Sequence, residues 1–348
     1  MTIPSDKAAG GVGGALPAIE RGSLFQMRFM AIWIAMMALI LFCAIIVPRS
    51  LLPSTFLAII PLAAFLTIAA AGEALVLMAR GIDLSIPATI TLASTLILGT
   101  SHGHDDKLLV AVAVALAFAT VVGFINGFLV AVLKVNSLIG TLAVGAIATG
   151  GTLWYRESLP AESRVPPGMA EWGDSRLVGL NASVWVAAVL VIFMAIVLRK
   201  TTIGRRFSAV GANPRAAWIA GINVTGYQIA PFAVAGLLYG IVGVLLSAFI
   251  RNPTLKVGEP YLLAPIAAAV LGGTAITGGI GSIVAVAGAA LFLTQLGQVL
   301  KMLGLSSALQ FVIQGIAIAL GMALAGVNFS RWVGLVTGGR SNRAGESR

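Results

Sequence analysis

Few residues in this chain have a type and spacing that could do chemistry, and each points to a different reaction. SHGHDD, residues 101–106, sets two histidines two apart beside two acids, a pattern that invites a metal ion. Its other reading is a short solvated turn between two apolar runs, and no metal is expected. LGGTAITGGIGS, residues 271–282, is rich enough in glycine to cradle a phosphate, but it has no Lys to reach one and no GxxxxGK[ST] loop occurs anywhere. The chain therefore has no nucleotide site of its own. Cys43 is the single cysteine, which excludes an intramolecular disulfide and a CxxC redox pair. Glu73 is the one clear carboxylate inside an apolar run, with Asp83 at the end of the next short stretch. Acids so placed serve ion- or proton-driven carriers as relays and ligands. They are too scarce here to be the energy source, which points to a motor outside the chain.

These residues hang on a framework that composition dictates. The 348 residues are 59% hydrophobic and 10% charged with mean hydropathy +1.01, too apolar for a water-facing surface. Apolar runs of near membrane-spanning length predict helices at 30–47, 55–79, 86–101, 108–133, 138–154, 183–198, 227–249, 260–277, 283–301 and 307–325. The expected fold is an all-α polytopic membrane protein of about ten transmembrane helices (8–10), some broken or re-entrant. A net charge of +10 could suggest nucleic acid, but its distribution matters more. Fourteen of the 22 basic residues fall on one side of the ten-helix arrangement, which the positive-inside rule makes cytoplasmic, with both termini there. No nucleic-acid partner is expected. The organisation read from these runs is a disordered cytoplasmic tail at 1–28, a transmembrane domain at 29–326 and a basic cytoplasmic tail at 327–348. Within the domain, 155–181 is an outer loop and 200–226 an inner one.

The inner loop contains GRRFSAVGANPRAAWIAGI, residues 204–222, which spells a short helix. Asn213 suits the N-cap, Pro214 the first helical position and Gly221 the far end. Five Lys or Arg and no acid lie between Arg199 and Val224, beside an apolar face of Ala216, Ala217, Trp218 and Ile219. Two readings are open: an amphipathic segment resting on anionic lipid, or a docking helix for a separate ATPase. In GIDLS, residues 81–85, Ser85 reads as the N-cap of the next helix, while Asp83 with Arg80 could belong to an inner gate or an ATPase contact. Glu73 is open between lining a solute pathway and bonding a neighbouring helix. Asn126, followed by Gly127, reads chiefly as packing through its amide.

Four ordered motifs carry a resemblance. TTIGRRFSAVGANPRAAWIAGINV (201–224) resembles the G-R-x-x-x-A-x-G-x-N-x-x-A-A-x-x-x-G-I-x-V pattern of permease subunits of bacterial ABC importers for ribose, xylose and similar simple sugars. Gly81, Ile82, Asp83, Leu84 and Ser85 match that family's most recognisable stretch, and INGFLVAVLKVNSLIGTLAVG (125–145) and IAAAVLGGTAITGGIGS (266–282) match two more. The likeness covers roughly residues 55 to 323. PYLLAP (260–265) lacks the acids common there, so the solute stays open. The resemblance implies a second permease subunit, identical or homologous, two ATPase subunits carrying ATP and Mg, a periplasmic sugar-binding protein and the inner membrane of a bacterium. It assigns ATPase coupling to Gly204, Arg205, Gly211, Asn213, Pro214, Arg215, Ala216, Ala217, Trp218, Gly221 and Ile222. It places Gly272, Gly273, Gly278, Gly279 and Gly281 in a break that could form part of a gate, and adds Thr141 to Glu73 and Asn126 as pathway candidates. No cofactor is bound by the chain and no covalent chemistry is expected of it. The rival class is an ion-coupled secondary carrier for a small polar solute.

Overall fold

Backbone amides withdrawn from water are satisfied within one segment only by a helix, and the apolar runs fold accordingly. The computed structural model describes residues 18–160, 163–306 and scattered positions from 308 to 319. Its helices are α1 (Ala18–Ile46), α2 (Pro53–Met78), α3 (Ile86–Ser101), α4 (Leu108–Ala131), α5 (Ser137–Glu157), α6 (Pro167–Asp174), α7 (Ala182–Lys200), α8 (Thr202–Ala212), α9 (Pro214–Ile219), α10 (Val224–Ile250), α11 (Ala264–Leu271) and α12 (Ile283–Met302). A two-stranded hairpin, β1 (Arg176–Leu177) with β2 (Leu180–Asn181), joins α6 to α7. Seven helices, α1, α2, α4, α5, α7, α10 and α12, are long and apolar enough to cross a membrane. The fold is thus an all-α polytopic membrane architecture. The basic tail expected at 327–348 lies outside the described residues, as does much of the helix expected at 307–325, whose described positions are helical.

Polar residues at the helix starts set the register of the bundle. Side chains of Asn136, Asn181, Thr201, Asn213, Asn223 and Ser282 each accept a backbone N–H in the first turn of the following helix. Such a cap stabilises a helix by about 1 kcal/mol. At the centre, α10 packs against α4, α2 and α3. Gly123 of α4 meets Gly236 of α10 so closely that a Cβ on either would sit 3.0 Å from the other's Cα. Two backbones at that distance need small residues on both sides.

Three expectations change. Part of the expected N-terminal tail is helical, because α1 holds residues 18–28 and runs without a break into the apolar span; residues 1–17 lie outside the described residues. The helix expected at 260–277 is only α11, ending at Leu271. Gly273, Gly278 and Gly279 follow it with φ of 83°, 91° and 79°, conformations that end a helix. Finally, the inner loop holds two helices instead of one, since Thr201 caps α8 immediately after α7.

Candidate functional site

The candidate site begins where α2 stops. Arg80 has the left-handed φ of 70°, its N–H donates to Leu77 O and that of Gly81 to Val76 O, each at 2.9 Å. This double bond pattern is a helix C-terminal cap whose left-handed position is usually glycine. The chain then runs without regular structure through residues 82–85, half-buried to buried, before α3 begins. Amides freed from a helix at that depth need partners, and side chains provide them. Ile82 N donates to Ser137 Oγ at 3.2 Å, Asp83 N to the Glu73 carboxylate at 3.3 and 3.4 Å, Leu84 N to Thr141 Oγ1 at 3.0 Å and Ser85 N to Asp83 Oδ1 at 2.8 Å.

Glu73, Asp83, Asn126 and Thr141 are each fully buried. A buried carboxylate costs several kcal/mol unless hydrogen bonds replace its water. Glu73 also accepts from the Tyr239 hydroxyl of α10 at 3.2 Å. Asp83 accepts from the Ser85 hydroxyl at 2.6 Å and from Asn126 Nδ2 at 3.3 Å, and the same Nδ2 reaches Ser85 Oγ at 2.8 Å. Through Tyr239, Glu73 bonds a neighbouring helix, α10. Asn126 glues α4 to the 82–85 segment, and Gly127 beside it would bring a Cβ to 3.0 Å from Ile229 Cα. Ser85 stands at the start of α3 but makes no side-chain cap, because its hydroxyl is turned to Asp83. Ser137 and Tyr239 complete the network and were not legible as members. A tyrosine within an apolar span needs a partner for its hydroxyl, which is the one signal that could have flagged Tyr239.

Arg80 also ties this break to the two others. Its Nε donates to Gly211 O at 2.6 Å and its terminal nitrogen to Ala212 O, the last carbonyls of α8. Gly279 N donates to Met78 O at 2.9 Å. Side chains have no room here: a Cβ on Gly211 would lie 2.6 Å from Gly279 N, on Gly278 2.6 Å from Gly211 O, and on Gly279 2.6 Å from Ala212 N. Gly281 would meet Met78 Sδ at 2.6 Å and Gly272 the Cα of Val286 at 2.6 Å. Three separated stretches, 78–85, 204–213 and 272–282, thus meet at one end of the bundle. Gly204 makes the tight turn after α7, where a Cβ would come within 2.5 Å of Leu198 backbone.

Beyond the junction projects α9. Asn213 Oδ1 accepts from Ala216 N at 3.1 Å, Pro214 takes the first position, and Gly221, with φ 76°, closes the end as Ile222 N donates to Ala217 O at 3.0 Å. Ala217 faces inward, while Trp218 and Ile219 are 71% and 75% exposed, next to exposed Arg205, Arg206 and Arg215. An exposed apolar tip on a basic loop suits contact with another surface. At the opposite end, Asp105 Oδ1 accepts from Gly168 N at 2.9 Å and so joins the SHGHDD turn to α6. Among the described residues no group of three or more His, Cys, Asp or Glu could hold a metal. The site is built of hydrogen bonds and close backbone contacts between α2, α8 and the 272–282 segment.

Residues 55–330 match the family described as branched-chain amino acid transport system / permease component. The ribose import permease of Bacillus subtilis is 32% identical over 84% of this chain and 91% of its own length. That of Escherichia coli K12 is 33% identical over 73% and 79%, and the autoinducer 2 import system permease of Escherichia coli is 34% identical over 69% and 70%. No solved structure is a significant match. The chain accordingly belongs to the permease-component family of bacterial ABC importers of the simple-sugar type, multi-pass proteins of the inner membrane.

Proposed function

We propose that the chain is the membrane-spanning half of an ATP-driven importer that takes up a simple sugar, a pentose, hexose or polyol, by alternating access. The observation that carries this is α9, a rigid, capped helix that presents Trp218 and Ile219 outward among exposed arginines. The basic loop puts that end of the bundle in the cytoplasm. There it meets a separate ATPase subunit holding ATP and Mg. The ten-crossing reading, of which seven long spans are described, would return both termini to the same side. A second permease chain and a periplasmic binding protein complete the assembly. Two of the three relatives described above are named for ribose, which supports a pentose first.

ATP-driven closure of the paired ATPases would move α9 of each permease chain, and the bundle would follow to open toward the periplasm and accept solute. The permease itself makes and breaks no covalent bond. The test is a pull-down from mild detergent with a C-terminal tag, from cells grown on candidate sugars. Wild type is compared with a chain carrying Asn213→Ala, Arg215→Glu and Trp218→Ala. An ATP-binding subunit with wild type and not with the variant supports docking at α9. No ATPase in either sample overturns the importer reading and favours an ion-coupled carrier, for which Glu73 becomes the first residue to substitute.

A further inference from the structure

We infer that Arg80 is the positioning residue that makes α8, α2 and the 278–279 loop move as one unit, so that displacement at α9 reaches the bundle. The inference rests on the importer reading above. It starts from an outlier. Arg80 occupies the left-handed position of a helix end, φ 70°, where glycine is the residue without penalty. A non-glycine side chain kept in a strained conformation implies that the side chain is needed.

What the side chain reaches is specific. The guanidinium donates to two consecutive carbonyls, Gly211 and Ala212, at the end of α8. That helix has no basic residue in its own last turn, so Arg80 supplies the cation that complements its C-terminal dipole from 131 residues away in sequence. A forked, planar donor spans two carbonyls where an ammonium would hold one point. On the same spot Gly278 touches both partners: a Cβ there would stand 2.6 Å from Gly211 O and 3.1 Å from Arg80 Nε. Behind Arg80, the amides of residues 82–84 are fastened to α2 and α5, and Asp83 to α4 through Asn126. A shift of the α8 terminus therefore finds no slack at any of its three neighbours. Arg80 is exposed as well, yet its donors are turned to the chain's own carbonyls, so its work is internal and differs from that of a side chain presented to the ATPase.

The substitution Arg80→Gly separates the two roles that a cap could have. It removes the guanidinium and at the same time relieves the backbone, so the strain released offsets part of the contact that is lost. In the complete importer reconstituted with its ATPase and binding protein, Arg80→Gly is expected to bind the ATPase as wild type does and to melt close to it. The sugar moved per ATP hydrolysed should fall about tenfold, the loss expected from one charge-assisted contact. Arg80→Lys, which keeps a single cationic donor, should recover part of that ratio. A ratio for Arg80→Gly within about twofold of wild type overturns the inference. A lowered melting temperature with transport and hydrolysis falling in proportion also overturns it, since Arg80 would then be only a structural cap. If wild type itself retains no ATPase, the importer reading fails, and that outcome is seen before any variant is compared.

Discussion

Glu73 is fully buried and serves as an acceptor for the backbone it helps to break. Its oxygens replace the helical partner that Asp83 N lost and meet the Tyr239 hydroxyl on a separate helix. Truncation to Ala leaves both donors unpaired in the interior, a loss of about 3 kcal/mol. Glu73→Gln keeps one acceptor oxygen, so assembly should survive while transport changes. Tyr239→Phe removes one hydrogen bond and should cost only about 1 kcal/mol. Thermal unfolding in detergent, with uptake in cells, checks the order Glu73→Ala, Glu73→Gln, Tyr239→Phe. Equal stability of all three would mean that the network carries no energy. Glu73 stood out in the sequence because an acid within an apolar run is rare. Ser137 and Thr141 did not reveal their roles, because a hydroxyl near a helix start looks ordinary until the segment it serves, residues 82–85, is folded beside it.

Between the two glycines that bound the α8–α9 elbow, the elements separate two kinds of constraint. Gly221 needs its φ of 76° but has nothing within 4 Å of a Cβ, whereas Gly211 has helical backbone and no room. Gly221→Ala should therefore cost about 1 kcal/mol of local backbone strain and leave the junction intact. Gly211→Ala must push Gly279 or Met78 backbone aside, and neither is a flexible side-chain end. Hydrogen exchange at the Gly279 amide, which donates to Met78 O, should speed up in Gly211→Ala and stay unchanged in Gly221→Ala. Unchanged exchange in both would mean that the junction yields more easily than its geometry implies. The Asn-Pro start and Gly end made α9 readable, since those residues act within one turn. The sequence hid α8 because only its Thr201 cap is local: Phe207 and Val210 are buried against other elements, and its C-terminal partner is Arg80. For α11, the glycines hinted at a break, but the helix stops at Leu271, earlier than hydropathy alone suggests.

Across the whole molecule, the polar network and the junction stay in register only if α4 and α10 hold their close approach. Asn126 reaches the break from α4 and Tyr239 from α10, and between the two helices lie Gly123 and Gly236. A Cβ on Gly123 would stand 3.0 Å from Gly236 Cα and from the Phe232 carbonyl carbon. Valine there must force the helices apart along their length, which draws Asn126 from Asp83 and Tyr239 from Glu73 together. On α5, by contrast, Gly150 and Gly151 have open space where a Cβ would point. Gly123→Val should abolish a cooperative unfolding transition in detergent, whereas Gly150→Val should cost almost nothing, since a valine there meets no neighbour and is no worse a helix former than glycine. The comparison uses one substitution on two spans, so membrane insertion and helix propensity cancel. Similar losses at both positions would mean that the bundle is held by general hydrophobic matching to lipid, and that the buried network does not depend on how closely its helices pack.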